Sequence, residues 1–263
     1  MKEKIKNFRF TRKAFAYPYM LFLLVFVVTP LVLILANAFI YDGKFSFKNF
    51  AIFFTEKSSL VVLGNSILVG LLTTIICIVL GYPAAYFLAK YSASKIFVLL
   101  FILPMWVNFL IRTLATKAIF VSMNIPLGMG TVVFGMVYNY LPFMILPIYT
   151  AMTKIDDSII EAAQDLGCNV WHILFRVLVP LTGPGIATGI TQVFVPAVST
   201  FIISRMLGGG SNLLIGDLIE LQFLGNSYNL NLGSAMSLVL MVIVLLCMSF
   251  TSSFDESEME GVM

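Results

Sequence analysis

Six stretches of this sequence run without a single Asp, Glu, Lys or Arg, and five of them are 24 residues or longer. They are Tyr17 to Ile40, Ser58 to Ala89, Ile96 to Ile111, Ala118 to Thr153, Val177 to Ser204 and Leu221 to Phe254. A helix needs about 20 apolar residues to cross the hydrocarbon core of a bilayer. Backbone polar groups in lipid must be satisfied internally, and no alternating barrel pattern is present, so the runs are expected to be helices. The expected spans are 17–40, 61–89, 96–120, 131–152, 183–205 and 233–253. The expected fold is all-α and polytopic, a single transmembrane domain over 1–263.

Composition closes off the alternatives. Hydrophobic residues make up 60% of the chain and charged residues 11%, with a mean hydropathy of +0.99. A soluble domain carries about 25% charged residues. A soluble enzyme, a disordered chain and a nucleic-acid binder are all excluded. Cys77, Cys168 and Cys247 are scattered and show no metal-ligand spacing, so neither a disulfide framework nor a zinc site is expected. The first run follows a basic segment, as a signal peptide would. At 24 residues it exceeds a signal core of about 7–15, and it reads as a retained helix.

Lys and Arg set the orientation. Ten of the 16 fall on one side if the N-terminus is inside: Lys2, Lys4, Lys6, Arg9, Arg12, Lys13, Lys90, Lys95, Lys154 and Arg176. Both termini are therefore expected in the cytoplasm, and so is the segment 154–182. Pro30, Pro83, Pro104, Pro142, Pro147 and Pro196 fall within expected helices. Each predicts a kink that neighbouring helices must compensate. No internal repeat is evident, so an inverted-repeat carrier gains no support.

The segment 154–182 is the most polar part of the middle of the chain. Ser158 and Glu161 have the spacing of a capping box that starts a helix. Ala162 and Ala163 are small enough for close approach, and Gly167 suits a left-handed helix end. Asn169 can cap a second short helix through Arg176, which Pro180 should stop. The apolar side of the first helix, Ile159, Ile160, Ala163 and Leu166, has to be covered. It packs on its own bundle as an elbow, or it docks a cytoplasmic partner.

The wording of this segment resembles the EAA loop of ABC importer permeases. Glu161-Ala162-Ala163 is followed after three residues by Gly167, and after nine more by Val177-Leu178-Val179-Pro180. Leu80 to Lys90 and Leu103 to Thr113 are similar to the second and third helices of the polyamine branch. Met206-Leu207-Gly208-Gly209, Asn212 to Asp217 and Ile219 to Phe223 resemble the B-type permease of spermidine/putrescine importers. Two features depart from that pattern: a short outer loop near Ser122 to Thr131, and an acidic tail with Asp255, Glu256, Glu258 and Glu260.

The resemblance implies an ABC importer type I permease fold with six transmembrane helices in the bacterial inner membrane. It implies a heterodimer with a second permease subunit (PotC type) and two ATPase subunits (PotA type). An extracellular polyamine-binding protein (PotD type) would deliver the cargo. Glu161, Ala162, Ala163, Gly167 and Pro180 would then couple the membrane bundle mechanically to the ATPase. No GxxxxGK[ST] phosphate loop is present, and Gly208-Gly209-Gly210-Ser211 reads as a connector. No cofactor is expected in this chain, because ATP and Mg would be bound by the partner ATPase.

A polyamine path needs acceptors and aromatic faces. Trp106 is the leading candidate, beside Pro104 and Asn108, with Tyr138, Tyr82, Tyr86 and Tyr140 as further aromatics. Asp217 and Glu220, three residues apart, would share a helix face near the outer entrance as a cation-attracting pair. Arg112 and Lys117 would repel a cation, so they are expected to face a partner or lipid headgroups. His172, the one histidine, has no companions for metal binding or catalysis. Two rivals stand beside the polyamine reading. One is a related permease for thiamine, iron or an organophosphate. The other is an intramembrane enzyme, which would need paired reactive groups at membrane depth that the spans scarcely contain.

Overall fold

A computed structural model describes residues 16–90, 95–210, 212–225 and 228–260. The basic residues Lys2 to Lys13 and connector residue Ser211 lie outside the described residues, as do the side chains of the acidic tail.

The first crossing joins α1 (Ala16–Leu23) and α2 (Thr29–Ala38) through a π turn at Leu24–Val28. Pro30 sits in the first turn of α2, where its missing N–H is least disruptive. A hairpin of β1 (Ile40–Tyr41) and β2 (Lys44–Phe45) follows. Its turn residues Asp42 and Gly43 both have positive φ, 48° and 75°, as a two-residue hairpin turn requires. Then come α3 (Lys48–Thr55), α4 (Lys57–Lys90), α5 (Lys95–Trp106), α6 (Phe109–Ser122) and α7 (Met129–Met152). The polar segment holds α8 (Asp157–Asp165), α9 (Val170–His172), a π turn at Ile173–Leu178, and α10 (Val179–Leu181). The chain ends with α11 (Gly183–Ser199), α12 (Ile202–Leu207), α13 (Ile215–Leu224) and α14 (Leu230–Glu260).

Among the described residues, four helices are long and apolar enough to cross a membrane: Tyr17–Ala38, Lys57–Lys90, Met129–Met152 and Leu230–Ser249. The count reaches six if each of two bent pairs is one span. The expected span 96–120 is one of these pairs, and it is not a continuous helix. α5 and α6 meet at 89° across Val107 and Asn108. Pro104 removes a donor from the last turn of α5, and Asn108 restarts the helix by accepting from Leu110 N at 2.8 Å. The expected span 183–205 is likewise interrupted, with α11 ending at Ser199 before α12 begins.

At the centre, α7 packs against α4 and α11, which also touch each other. Met144, Ile148 and Met152 of α7 meet Cys77, Tyr82 and Ala85 of α4 and Val193 of α11. Lipid tails are as apolar as these side chains, so close van der Waals fit has to hold the helices together. Gly185 lets α11 reach the backbone of α7. A Cβ there would stand 2.7 Å from Ala151 Cβ and 2.8 Å from Pro147 O. Gly185→Val is therefore expected to destabilise the bundle by about 1–3 kcal/mol. Thermal unfolding in detergent would show it, and an unchanged midpoint would refute the close-packing account. The first crossing differs, since none of its most apolar window is buried. That face is left for lipid or for another subunit.

Candidate functional site

The polar segment is built as a double-sided elbow. α8 starts earlier than the capping-box spacing suggests. Asp156, not Ser158, is the N-cap, and its carboxylate accepts from Ser158 N at 3.0 Å. That hydrogen bond holds the Asp156 carboxyl below the usual carboxylate range. Gly167 ends α8 at φ 79°, a left-handed position that disfavours any side chain. Asn169 caps the next helix as expected, accepting from His172 N at 2.8 Å. Its side chain also meets His172 Nδ1, at 2.8 Å. Pro180 does not stop that helix, which continues to Leu181. The π turn before Pro180 has already interrupted the regular hydrogen-bond ladder, so the missing donor is tolerated.

One face of the elbow is anchored. Ala163 packs with Ile173 and Leu178, and with the partly buried Tyr86, Ile155 and Ile160. Lys90, at the end of α4, donates to Ile155 O at 2.8 Å and pairs with Asp157 at 2.5 Å. The opposite face is bare. Glu161 and Ala162 are exposed, Leu166 is 84% exposed, and Trp171 and Phe175 are exposed with their rings stacked at 6.0 Å. The elbow and docking readings thus describe different faces. Ala163 serves the first, while Glu161, Ala162 and Leu166 lie on the second.

A cleft of about 620 Å³ opens where the α5–α6 break faces α7 and the end of α11. Trp106, Asn108, Arg112, Asn139, Tyr140 and Thr200 line it. Trp106 stands at the break and is 86% exposed. Asn139 donates to Gly135 O at 2.8 Å, but its carbonyl oxygen is buried without a hydrogen-bond partner among the described residues. Sequence reasoning missed Asn139, Ser199 and Thr200. An amide inside a charge-free run was the signal for Asn139. Arg112 was expected to face a partner or lipid headgroups, and of these two the headgroup alternative does not hold. It is buried in this cleft, while Lys117 is half-buried elsewhere on α6. Tyr138 is exposed, with Arg112 Cζ 5.7 Å from its ring centroid. Tyr82 is not in the cleft but in the core, its hydroxyl 3.1 Å from Thr182 Oγ1.

The carboxylates on α13 do not share a free face. Asp217 is buried and accepts from Ser204 Oγ at 2.6 Å and Leu214 N at 2.8 Å. Burial pushes its carboxyl up, against those two hydrogen bonds. Glu220 is engaged in a two-point ion pair with Arg205.

Residues 77–255 match the family of binding-protein-dependent transport system inner membrane components. The chain belongs to this family. Its relatives include the spermidine/putrescine transport system permease protein PotB of Haemophilus influenzae. That protein is 38% identical over 249 residues, covering 85% of this chain and 87% of the relative. The PotB protein of Escherichia coli K12 is 34% identical, covering 84% of this chain and 90% of the relative. Among solved structures, a bacterial ABC transporter that imports alginate superposes with a TM-score of 0.73 at 13% identity, over 93% of this chain and 94% of the other. The MetNI methionine ABC transporter gives a TM-score of 0.63 at 16% identity, over 75% and 94%. The fold is that of an ABC importer permease, and the chain is a multi-pass membrane transport subunit, not an enzyme.

Proposed function

We propose that this permease carries polyamines, spermidine and putrescine, as the B-type subunit of an ATP-driven importer. The similarity to PotB proteins across more than four-fifths of both chains carries this reading. A single permease domain spans the chain, with both termini in the cytoplasm. A second permease of C type completes the translocation path. Two A-type ATPase subunits bind ATP and Mg, and a D-type binding protein delivers the cargo from outside.

The bare face of the elbow, with Glu161, Ala162 and Leu166, receives the ATPase. Ala163, Gly167 and Pro180 shape the elbow so that its movement reaches α4 and α11. This division is supported by Ala163 facing inward while its neighbours face out. The cleft with Trp106, Asn108 and the adjacent Tyr138 forms this chain's half of the cargo path. Its indole face and amide suit ammonium groups on a methylene chain.

Uptake of labelled spermidine and putrescine should fall to background in cells lacking this gene, with the ATPase and binding protein retained, and return on complementation. Unchanged polyamine uptake would sink the cargo assignment. Parallel uptake of thiamine, iron and phosphate esters would then show which solute depends on the gene.

A further inference from the structure

The cleft holds a charge with no opposite charge paired to it among the described residues. Arg112 is 7% exposed, and its Nε and Nη1 are buried with no hydrogen-bond partner among the described residues. The Tyr138 ring, 5.7 Å from Cζ, lies near the limit of a cation–π contact. The two ion pairs among the described residues are Lys90–Asp157 and Arg205–Glu220, neither of which reaches Arg112. Asp217 is committed to Ser204 and Leu214, and Asp156, Asp157, Glu161 and Asp165 belong to the polar elbow. A buried ionised group demands a partner, and breaking such a pair is far more damaging than losing a surface one.

The chemistry of the missing partner follows from the guanidinium. It presents a planar fork of donors that matches a carboxylate at two points. A polyamine cannot supply that group, because it is itself cationic and would be repelled. The exposed rim at Trp106 leaves the cleft open to whatever covers this face. We propose that Arg112 is the receiving half of an ion pair completed by an Asp or Glu of the second permease subunit across the cleft. The pair sets the register of the two permeases and masks a positive charge that would otherwise oppose the cargo. This inference rests on the two-permease reading above.

The test uses the complete importer with a tag on this chain. Arg112→Glu should lower both co-purification of the second permease and spermidine uptake at least ten-fold. Each Asp and Glu within the apolar spans of the second permease is then replaced singly by Arg. One of these replacements should restore both readouts to within two-fold of wild type in the Arg112→Glu background, and should be harmful beside native Arg112. Restoration by none of them, with both chains inserting normally, would overturn the proposal. So would wild-type co-purification by both Arg112→Glu and Arg112→Gln. If Arg112→Gln keeps the assembly intact but abolishes uptake of a carboxylate-bearing solute such as labelled glutamate, the guanidinium serves cargo and the proposal fails. If the charge exchange restores co-purification while the wild type takes up no spermidine, the ion pair stands and the polyamine reading falls.

Discussion

Glu161→Lys is expected to lower uptake by at least about 30-fold, with membrane insertion and co-purification of the second permease unchanged. Glu161 is exposed on α8, beside exposed Ala162 and close in sequence to Leu166, which is 84% exposed. Its inward neighbour Ala163 packs on Ile173 and Leu178. A change at Glu161 therefore touches the docking face and leaves the bundle alone, so its effect on stability should stay within about 0.5 kcal/mol. At a docked surface the same reversal replaces an attraction by a like-charge contact. Disrupting a desolvated charge contact costs about 2–5 kcal/mol, and about 1.4 kcal/mol is tenfold. Loss of coupling by about 1.5 to 3.5 powers of ten follows. Glu161→Gln keeps the acceptor and removes the charge, so it should fall between the two. ATPase recovered with the purified permease gives a second readout, expected to drop in parallel. Wild-type uptake by Glu161→Lys would refute the coupling role outright.

The parts of this molecule that were legible in the sequence are those fixed by local rules. Charge-free runs of bilayer length gave four of the six expected crossings as long helices, because apolar length is read directly off a chain. Gly167 and Asn169 gave their helix boundary, because a left-handed end and a side-chain cap depend on neighbours a few residues away. Features that depend on tertiary context were not legible. Pro104 predicted a kink, but an 89° break also required Asn108 to cap a new helix just beyond it. Pro180 was expected to end a helix, and a π turn with no sequence signature let the helix pass through it. Arg112 was expected to face a partner or lipid headgroups, because its charge would repel a cation. The direction an intramembrane side chain takes depends on which helix lies behind it, and the turn between α5 and α6 aimed this one inward. The spacing of Asp217 and Glu220 correctly placed both on one short helix. It could not show that Ser204, on a separate helix, would take Asp217.

That last pairing carries the second large effect. Asp217→Leu is expected to destabilise the segment joining α12 and α13 by about 2–5 kcal/mol. Ser204 Oγ and Leu214 N would both lose a buried acceptor, and each such loss costs about 1–3 kcal/mol. Both bonds fall on the same oxygen, Oδ2, so Asp217→Asn can keep them with its amide oxygen. Neutral hydrogen bonds are about half as strong as charge-assisted ones, so the loss should be about half as large. Glu220→Gln breaks a pair whose Arg205 side is half exposed, so its effect should be about 1 kcal/mol or less. Hydrogen exchange across 208–225 and the thermal midpoint in detergent would separate the three variants. Uptake by Asp217→Leu should fall with the amount of folded importer, leaving the apparent KM for the cation unchanged. A cation-attracting pair at the outer entrance makes the opposite forecast. Asp217→Asn and Glu220→Gln would each raise KM several-fold with no loss of stability. That pattern would overturn the account of Asp217 as a buried acceptor, whereas a stability series in the order Leu, Asn, Gln with constant KM would establish Asp217 as the bond that holds α13 against α12.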